Sequence, residues 1–325
     1  MATYLVTGGA GFIGSNIVET LLARGETVRV LDNFLTGRRE NLVPFLDAIA
    51  LTEGDIRNLD LVRQTVAGCD YVLHQAALPS VPRSVEDPLT AHEINITGTL
   101  NVLVASRDAG VKRVVFASSS AVYGESDVPA KHEGIAPCPI SPYGAGKAAG
   151  EAYCMAFNAV YAIEAVALRY FNVFGPRQDP ASQYAAVVPL FIGAILEGRP
   201  PSIFGDGEQS RDFTYVANVV EANLLAATAP EAAGHIINVA CGQRITVNQL
   251  VAAIAGALGA TVTPVHADER AGDIRHSLAD IALARRLLGF EPAVGFEDGL
   301  ARTCAWFREQ SGTQTGDATS GGFPT

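Results

Sequence analysis

The chain is poor in the residues that build disulfide-stapled folds or metal centres. Among its 325 residues are five cysteines, Cys69, Cys138, Cys154, Cys241 and Cys304, with no C-x-x-C pair and no histidine at metal spacing. That pattern argues against a disulfide framework and a zinc site, so the thiols are expected to be reduced packing residues and no metal is expected. Positive charge is scarce as well. With 23 Lys and Arg against 34 Asp and Glu, the net charge is −11, which argues against nucleic acid or an anionic membrane as the main partner. A negatively charged ligand would need a local basic pocket. No apolar run reaches the roughly 18 residues of a membrane span. A strand-like run begins already at Thr3, leaving no room for a signal peptide, so a cytoplasmic protein is expected.

Apolar residues, by contrast, make up 48% of the chain and are spread along it, enough for one large α/β unit with a second lobe. The first 32 residues organise the rest. Thr3-Tyr4-Leu5-Val6-Thr7 reads as a strand, Gly8-Gly9-Ala10-Gly11-Phe12-Ile13-Gly14 as a turn, and Ser15 to Arg24 as a helix with Ile13, Ile17, Leu21 and Leu22 on one face. Gly8 allows the tight turn, Gly11 lets backbone approach a pyrophosphate, and Gly14 lets the helix lie close on the strand. The next strand, Thr27 to Leu31, delivers Asp32. A carboxylate there can accept ribose hydroxyls and would repel a 2′-phosphate, which favours NAD over NADP; Arg38 and Arg39 weaken that preference slightly.

Strand and helix go on alternating. Strands are expected at Ala48 to Thr52, Asp70 to His74, Arg113 to Ser118 and Ala165 to Arg169, with helices at Leu59 to Val66, Asp87 to Ala109 and Tyr143 to Tyr161. The fold class is therefore α/β: a Rossmann-type, doubly wound parallel sheet with ligands at the carboxyl ends of its strands. Asp55-Ile56, Ala76-Ala77 and Ser118-Ser119-Ser120 fall at such ends. Asp55 reads equally as an adenine contact and as a cap for the helix starting near Asn58. Asn95, inside the long helix, is a candidate at the cofactor site, although a buried amide is more often a packing or water-binding device. The smaller substrate lobe is expected to be discontinuous. Residues 1–171 with about 213–240 would form the NAD-binding domain, 172–212 with 241–310 the second lobe, and 311–325 a disordered tail. In the lobe, helices are expected from Tyr184 to Leu196, Leu278 to Leu288 and Phe296 to Glu309.

Tyr143 and Lys147 carry the strongest catalytic signal. Ser141-Pro142 precedes a helical stretch, so the two side chains share a face at i and i+4. A tyrosine, with a pKa near ~10, is a poor base at neutral pH unless a cation stabilises its phenolate. Lys147, one of only three lysines, supplies that cation. A hydroxyl among Ser118, Ser119 and Ser120 could relay the proton, at most one or two of them facing the substrate.

With these residues in view, the chain resembles the extended short-chain dehydrogenase/reductase family of nucleotide-sugar epimerases and dehydratases. The resemblance covers about residues 3 to 310 and rests on the glycine turn, Ser119 before Tyr123-Gly124, Tyr143-x-x-x-Lys147, Arg169 to Pro176 and Arg211-Asp212-Phe213. Ser80 to Ser84, Arg177 to Pro180, Tyr184 to Pro189 and Gly272 to Ser277 resemble the UDP-N-acetylhexosamine 4-epimerase branch. The resemblance implies that Tyr143 removes the proton of the sugar 4-hydroxyl, Lys147 lowers its pKa and binds the nicotinamide ribose, and Ser119 bonds the same hydroxyl. It places Gly8, Gly11, Phe12, Ile13, Gly14, Asp32, Asn33, Asp55, Ile56, Ala76, Ala77 and Asn95 with Tyr143 and Lys147 around NAD. Asn172, Arg211 and Arg275 would hold the UDP moiety, with Ser80, Ser84, Ser119, Ser120 and Val188 also on the substrate side. Arg177 is expected in a surface ion pair. Ser277 would occupy a gate beside the C2 substituent, where its small volume favours an N-acetyl sugar; it also reads as the N-cap of the Leu278 to Leu288 helix. Family members commonly dimerise through a four-helix bundle, which implies a homodimer built on the helices Asp87 to Ala109 and Tyr143 to Tyr161.

Three rivals are weighed. A 4,6-dehydratase would need an acidic pair where Ser120 and Ala121 stand, which cannot serve as acid and base. UDP-glucuronate 4-epimerases and decarboxylases stay open, with Arg83 or Ser84 as a carboxylate contact. A non-catalytic NAD-binding sensor on the same fold would have no need of a tuned phenolate.

Overall fold

The computed structural model describes residues 1–179, 186–269 and 275–316. Its centre is a seven-stranded sheet formed by β1 (Thr3–Thr7), β2 (Thr27–Asp32), β3 (Ile49–Glu53), β4 (Tyr71–His74), β5 (Arg113–Ser119), β6 (Glu164–Tyr170) and β7 (Ile236–Val239). The spatial order is β7-β6-β5-β4-β1-β2-β3 and every ladder is parallel. Order reverses between β1 and β4. There the two crossovers leave in opposite directions and open a crevice at the strands' carboxyl ends.

The strands are nearly all-apolar because both faces are covered, and the pleat sorts their side chains. Tyr4, Val6, Val28, Val30 and Val115 pack with Ile17, Leu21, Val219 and Val220 on one face. Leu5, Leu31, Val72, Val114 and Phe116 pack with Val62, Val102, Leu103 and Cys154 on the other. Among the described residues, three two-stranded ladders lie outside the large sheet: Val173–Phe174 with Thr214–Tyr215, Ser210–Arg211 with Ile245–Thr246, and Ser202–Phe204 with Val265–Ala267. No described helix is long and apolar enough to cross a membrane.

Several elements differ from the sequence expectation. The long helix is three pieces, Pro88–His92, a π-helical turn Glu93–Gly98, and Thr99–Asp108. The turn widens where Asn95 Oδ1 accepts the Leu78 amide at 2.8 Å and where a side chain on Gly98 would collide with Ile56 at 2.5 Å. The next difference lies after Ser277. The expected helix starts only at Ala282, because Leu278 to Asp280 is extended and pairs through Leu278 O and Asp280 N with the backbone of Lys131, both at 2.8 Å. Ser277 is therefore not a helix cap, and Asp280 Oδ1 instead accepts the Ala282 amide. In the helix expected from Tyr184, the observed bounds are Val187–Leu196, and 180–185 lie outside the described residues. The last helix, Phe296–Gly316, runs past Glu309 into the stretch expected to be a disordered tail, with Ser311 Oγ donating back to Phe307 O at 3.0 Å; residues 317–325 lie outside the described residues.

Candidate active site

A cleft of about 920 Å³ opens at the switch point between β1 and β4. The glycine turn forms one wall. Gly8 takes φ +70°, and a Cβ on it would meet the Ala76 amide nitrogen at 2.6 Å. A Cβ on Gly14 would lie 2.1 Å from Gly8 O, so close packing of turn, helix and neighbouring strand demands both glycines. Gly11 is different: a Cβ there meets only Gly8 O, at 3.2 Å, and its remaining side opens on the cleft. Gly11 also caps the helix Phe12–Ala23 without any side-chain bond or acidic residue in the first turn, which leaves that N-terminus to an anion. Asp32 ends β2 in the cleft. Its carboxylate accepts Ala10 N–H at 2.9 Å and Phe34 N–H at 2.8 Å, and each oxygen keeps a lone pair for a ribose hydroxyl. Burial pushes its carboxyl up while the two amides hold it down. The turn and this acid fit the pyrophosphate and one ribose of a dinucleotide.

Phe12, Ile13, Asn33, Asp55, Ile56, Ala76 and Ala77 line the same cleft. Asp55 is not the helix cap, since Asn58 accepts the Leu61 amide in that role. It is held by Arg57 and by Asn33 Nδ2 at 2.8 Å, and hydrogen bonding by Arg57 helps to keep its carboxyl below the usual range against the cost of burial. Asn95 does not line the cleft. It is 1% exposed and grips both backbone groups of Leu78, which makes it the packing device that fixes the loop after Ala76-Ala77.

The opposite wall carries the chemistry. The helix Pro142–Val160 begins with Ser141 as its cap and presents Tyr143 and Lys147 to the cleft. Lys147 Nζ donates to Ala117 O at 2.7 Å, lies 4.9 Å from the Phe116 ring centroid and 5.9 Å from that of Tyr143. Burial lowers Lys147 to about 8, with Cys154 and Glu151 opposing. Burial raises the Tyr143 phenol, and the Ser119 hydroxyl opposes it.

Among the three serines, Ser118 Oγ is spent on Glu151 Oε1 at 2.5 Å. Ser119 both accepts the Ala121 amide and hydrogen-bonds Tyr143, while Ser120 opens the 3-10 turn Ser120–Tyr123. Glu151 was invisible as a site residue from sequence, although it stands one further turn along the Tyr143-Lys147 face. A second missed group is the trio of Gln75, Tyr170 and Asn223, with Tyr170 Oη donating to Asn223 Oδ1 at 2.9 Å where Gln75 and Tyr170 line the cleft.

On the substrate side, Ser80 lines the cleft and caps a short helix through Arg83 N. Ser84 is fully buried instead: its Oγ donates to Val81 O and accepts Tyr143 N–H at 3.0 Å, so it anchors the catalytic helix rather than facing a sugar. Val188, 1% exposed, belongs to the core, and its neighbour Ala186 lines the cleft. Asn172, at φ 30°, donates to Asp212 O at 3.2 Å. Arg211, Arg275 and Ser277 come together, Ser210 bonding Arg275 O through its N–H and Ser277 N–H through its carbonyl. Arg275 is engaged with Asp206 at 2.6 and 3.0 Å, and a ligand would have to replace that pair. Arg177 pairs with Glu19 as expected, but its side chain is mostly buried rather than at the surface.

This arrangement, a dinucleotide cleft with tyrosine, lysine and serine at one end, accords with known sequences. Residues 4–240 match the NAD dependent epimerase/dehydratase family. The chain belongs to this family. A UDP-glucose 4-epimerase of Mycolicibacterium smegmatis is 40% identical over 311 residues, 94% of this chain and 99% of the relative. A solved UDP-N-acetylglucosamine 4-epimerase from Methanobrevibacter ruminantium, in complex with UDP-N-acetylmuramic acid, superposes with a TM-score of 0.91 at 44% identity, covering 95% of this chain and 99% of that one. A UDP-glucose 4-epimerase of Thermus thermophilus in complex with NAD gives 0.85 at 40% identity, with 94% and 99% covered. As a member of the family, the chain uses NAD as its cofactor, and its activity is that of an isomerase.

Proposed function

We propose that the protein is a UDP-sugar 4-epimerase that interconverts UDP-N-acetylglucosamine and UDP-N-acetylgalactosamine and also accepts UDP-glucose and UDP-galactose. The observation that carries the reading is the placing of Tyr143 and Lys147 at one end of the cleft whose other end holds Asp32, with the Ser119 hydroxyl acting on the phenol. Tyr143 removes the proton of the sugar 4-hydroxyl, and Ser119 hydrogen-bonds that hydroxyl and keeps the phenol oriented. NAD, when bound, takes up the C4 hydrogen with its electron pair and returns it. The keto sugar turns over between the two transfers, Tyr143 gives the proton back, and no net oxidation occurs. Lys147 binds the nicotinamide ribose and offers a positive charge to the phenolate. Because burial holds Lys147 at about 8, turnover is expected to decline as pH rises through that value, which a pH profile of kcat checks.

The N-acetyl preference rests on Ser277, whose small side chain leaves volume beside C2. Since Leu278 to Asp280 is extended, replacing Ser277 costs no helix cap. Ser277→Tyr is expected to lower turnover of the acetylated pair by about ten- to hundredfold and to spare UDP-glucose. Chromatography of products from UDP-N-acetylglucosamine, UDP-glucose and UDP-glucuronate tests both points. An unchanged ratio between acetylated and unacetylated turnover sinks the gate. A second reading, action on a uronate, is favoured by Arg83, the basic residue lining the cleft beside Ser80, and turnover of UDP-glucuronate alone would establish it. The exposed Val85, Leu89, Tyr153 and Val160 support a homodimer packed through their helices, and sedimentation measures it.

A further inference from the structure

The helix Pro142–Val160 carries a third polar side chain on the face of Tyr143 and Lys147. Glu151, 2% exposed, accepts three bonds: from Ser118 Oγ at 2.5 Å, and from Arg169 Nε and Nη2 at 2.8 Å each. Arg169 reaches it from β6, itself 1% exposed, with its guanidinium 4.5 Å from the Tyr123 ring centroid and Nη1 unpaired. Such a pair is a poor device for stability alone, because desolvating two charges offsets their attraction and an apolar pair of similar volume would serve as well. What it does uniquely is geometric. Lys147 holds Ala117 O and Glu151 holds the Ser118 hydroxyl, so consecutive residues at the end of β5 are fastened to successive turns of one helix. The next residue is Ser119, the partner of Tyr143.

We infer that Glu151 is a positioning residue: its carboxylate, neutralised by Arg169, clamps the end of β5 to the helix that bears Tyr143 and thereby fixes Ser119 against the phenol. The clamp also engages the Ser118 hydroxyl, although that residue lines the cleft. The titratable groups around the pair are Tyr123, Lys147 and Cys154, with His74, on β4, within reach of the Lys147 charge. Removing the carboxylate removes a negative charge that raises Lys147, which makes the ammonium harder to keep.

The inference rests on Tyr143 as the base, so the test carries Tyr143→Phe beside Glu151→Gln and Glu151→Asp, each measured per NAD-loaded, folded molecule. Glu151→Gln keeps the shape but offers one acceptor oxygen where three donors converge. It is expected to lower kcat by about ten- to hundredfold, to leave KM within about twofold, and to move the basic limb of the kcat profile to lower pH. Glu151→Asp keeps the charge but is too short to reach both partners, so kcat falls while the limb stays, and this variant decides the matter if the glutamine protein does not fold. Wild-type kcat and an unmoved pH profile in the variant that folds overturn the clamp. Full turnover by Tyr143→Phe would instead overturn the base assignment on which it depends.

Discussion

Tyr143→Phe is expected to lower kcat by about 10²–10⁴ while leaving the fold, bound NAD and affinity for UDP nearly unchanged, the range associated with losing a general base. The structure says why the loss is confined to chemistry. The backbone N–H of Tyr143 is held by Ser84 Oγ at 3.0 Å, a bond that does not need the phenol oxygen. Lys147 does not depend on it either, since Nζ is bonded to Ala117 O at 2.7 Å. Ser119 keeps its bond to the Ala121 amide at 3.2 Å. The phenylalanine therefore deletes one proton acceptor together with its hydrogen bond to Ser119 and leaves these other contacts of the site in place. Product chromatography with a saturating UDP-sugar, NAD content by absorbance, and a thermal melt separate the effects. An equally active variant would leave Tyr143 and Lys147 as a structural pair.

How far the sequence carries depends on whether a residue's role is local. The glycine turn, Asp32 and the Tyr143-x-x-x-Lys147 spacing are legible because strand, turn and helix fix them within a few residues, and the structure places all of them on one cleft. Ser84, Asn95 and Val188 misled for the opposite reason. Each lies close in sequence to cleft residues, but its side chain is turned away by a partner distant along the chain: Tyr143 N for Ser84, Leu78 for Asn95, the core for Val188. Ser277 looked like a helix cap because Ser-Leu-Ala-Asp is a good local signal, yet the backbone of Lys131 captures Leu278 and Asp280 into a pairing that no local rule anticipates. Glu151 had a visible position on the right helical face and an invisible partner, Arg169, across the sheet.

Acidification offers the second large effect, and it too comes from a partner unseen in the sequence. His74 ends β4 at 1% exposure, its Nδ1 2.7 Å from Thr7 Oγ1 and its Nε2 3.0 Å from Thr99 Oγ1. Burial, with the Lys147 charge behind it, lowers the imidazole from 6.5 to about 3. Above pH 6.5 neither the folded nor the unfolded chain holds the extra proton and the two hydroxyl bonds contribute fully. As pH falls from 6.5 toward 3, the unfolded chain binds a proton that the native state refuses, so stability drops by about 1.4 kcal/mol per unit and by roughly 5 kcal/mol across the window. Asp212 works the other way: burial raises it to about 6, so its protonation favours the fold between about 6 and 3.8 and offsets part of the loss. The contribution of His74 is therefore read as a difference between proteins. His74→Gln, which cannot take up a proton, should be less stable than the parent at pH 7 and should lose less on acidification, so that denaturant midpoints of the two converge toward pH 4. Parallel curves would mean that His74 is not buried neutral between its two threonines, and the packing of β1 against β4 beneath the cofactor cleft would need a different account.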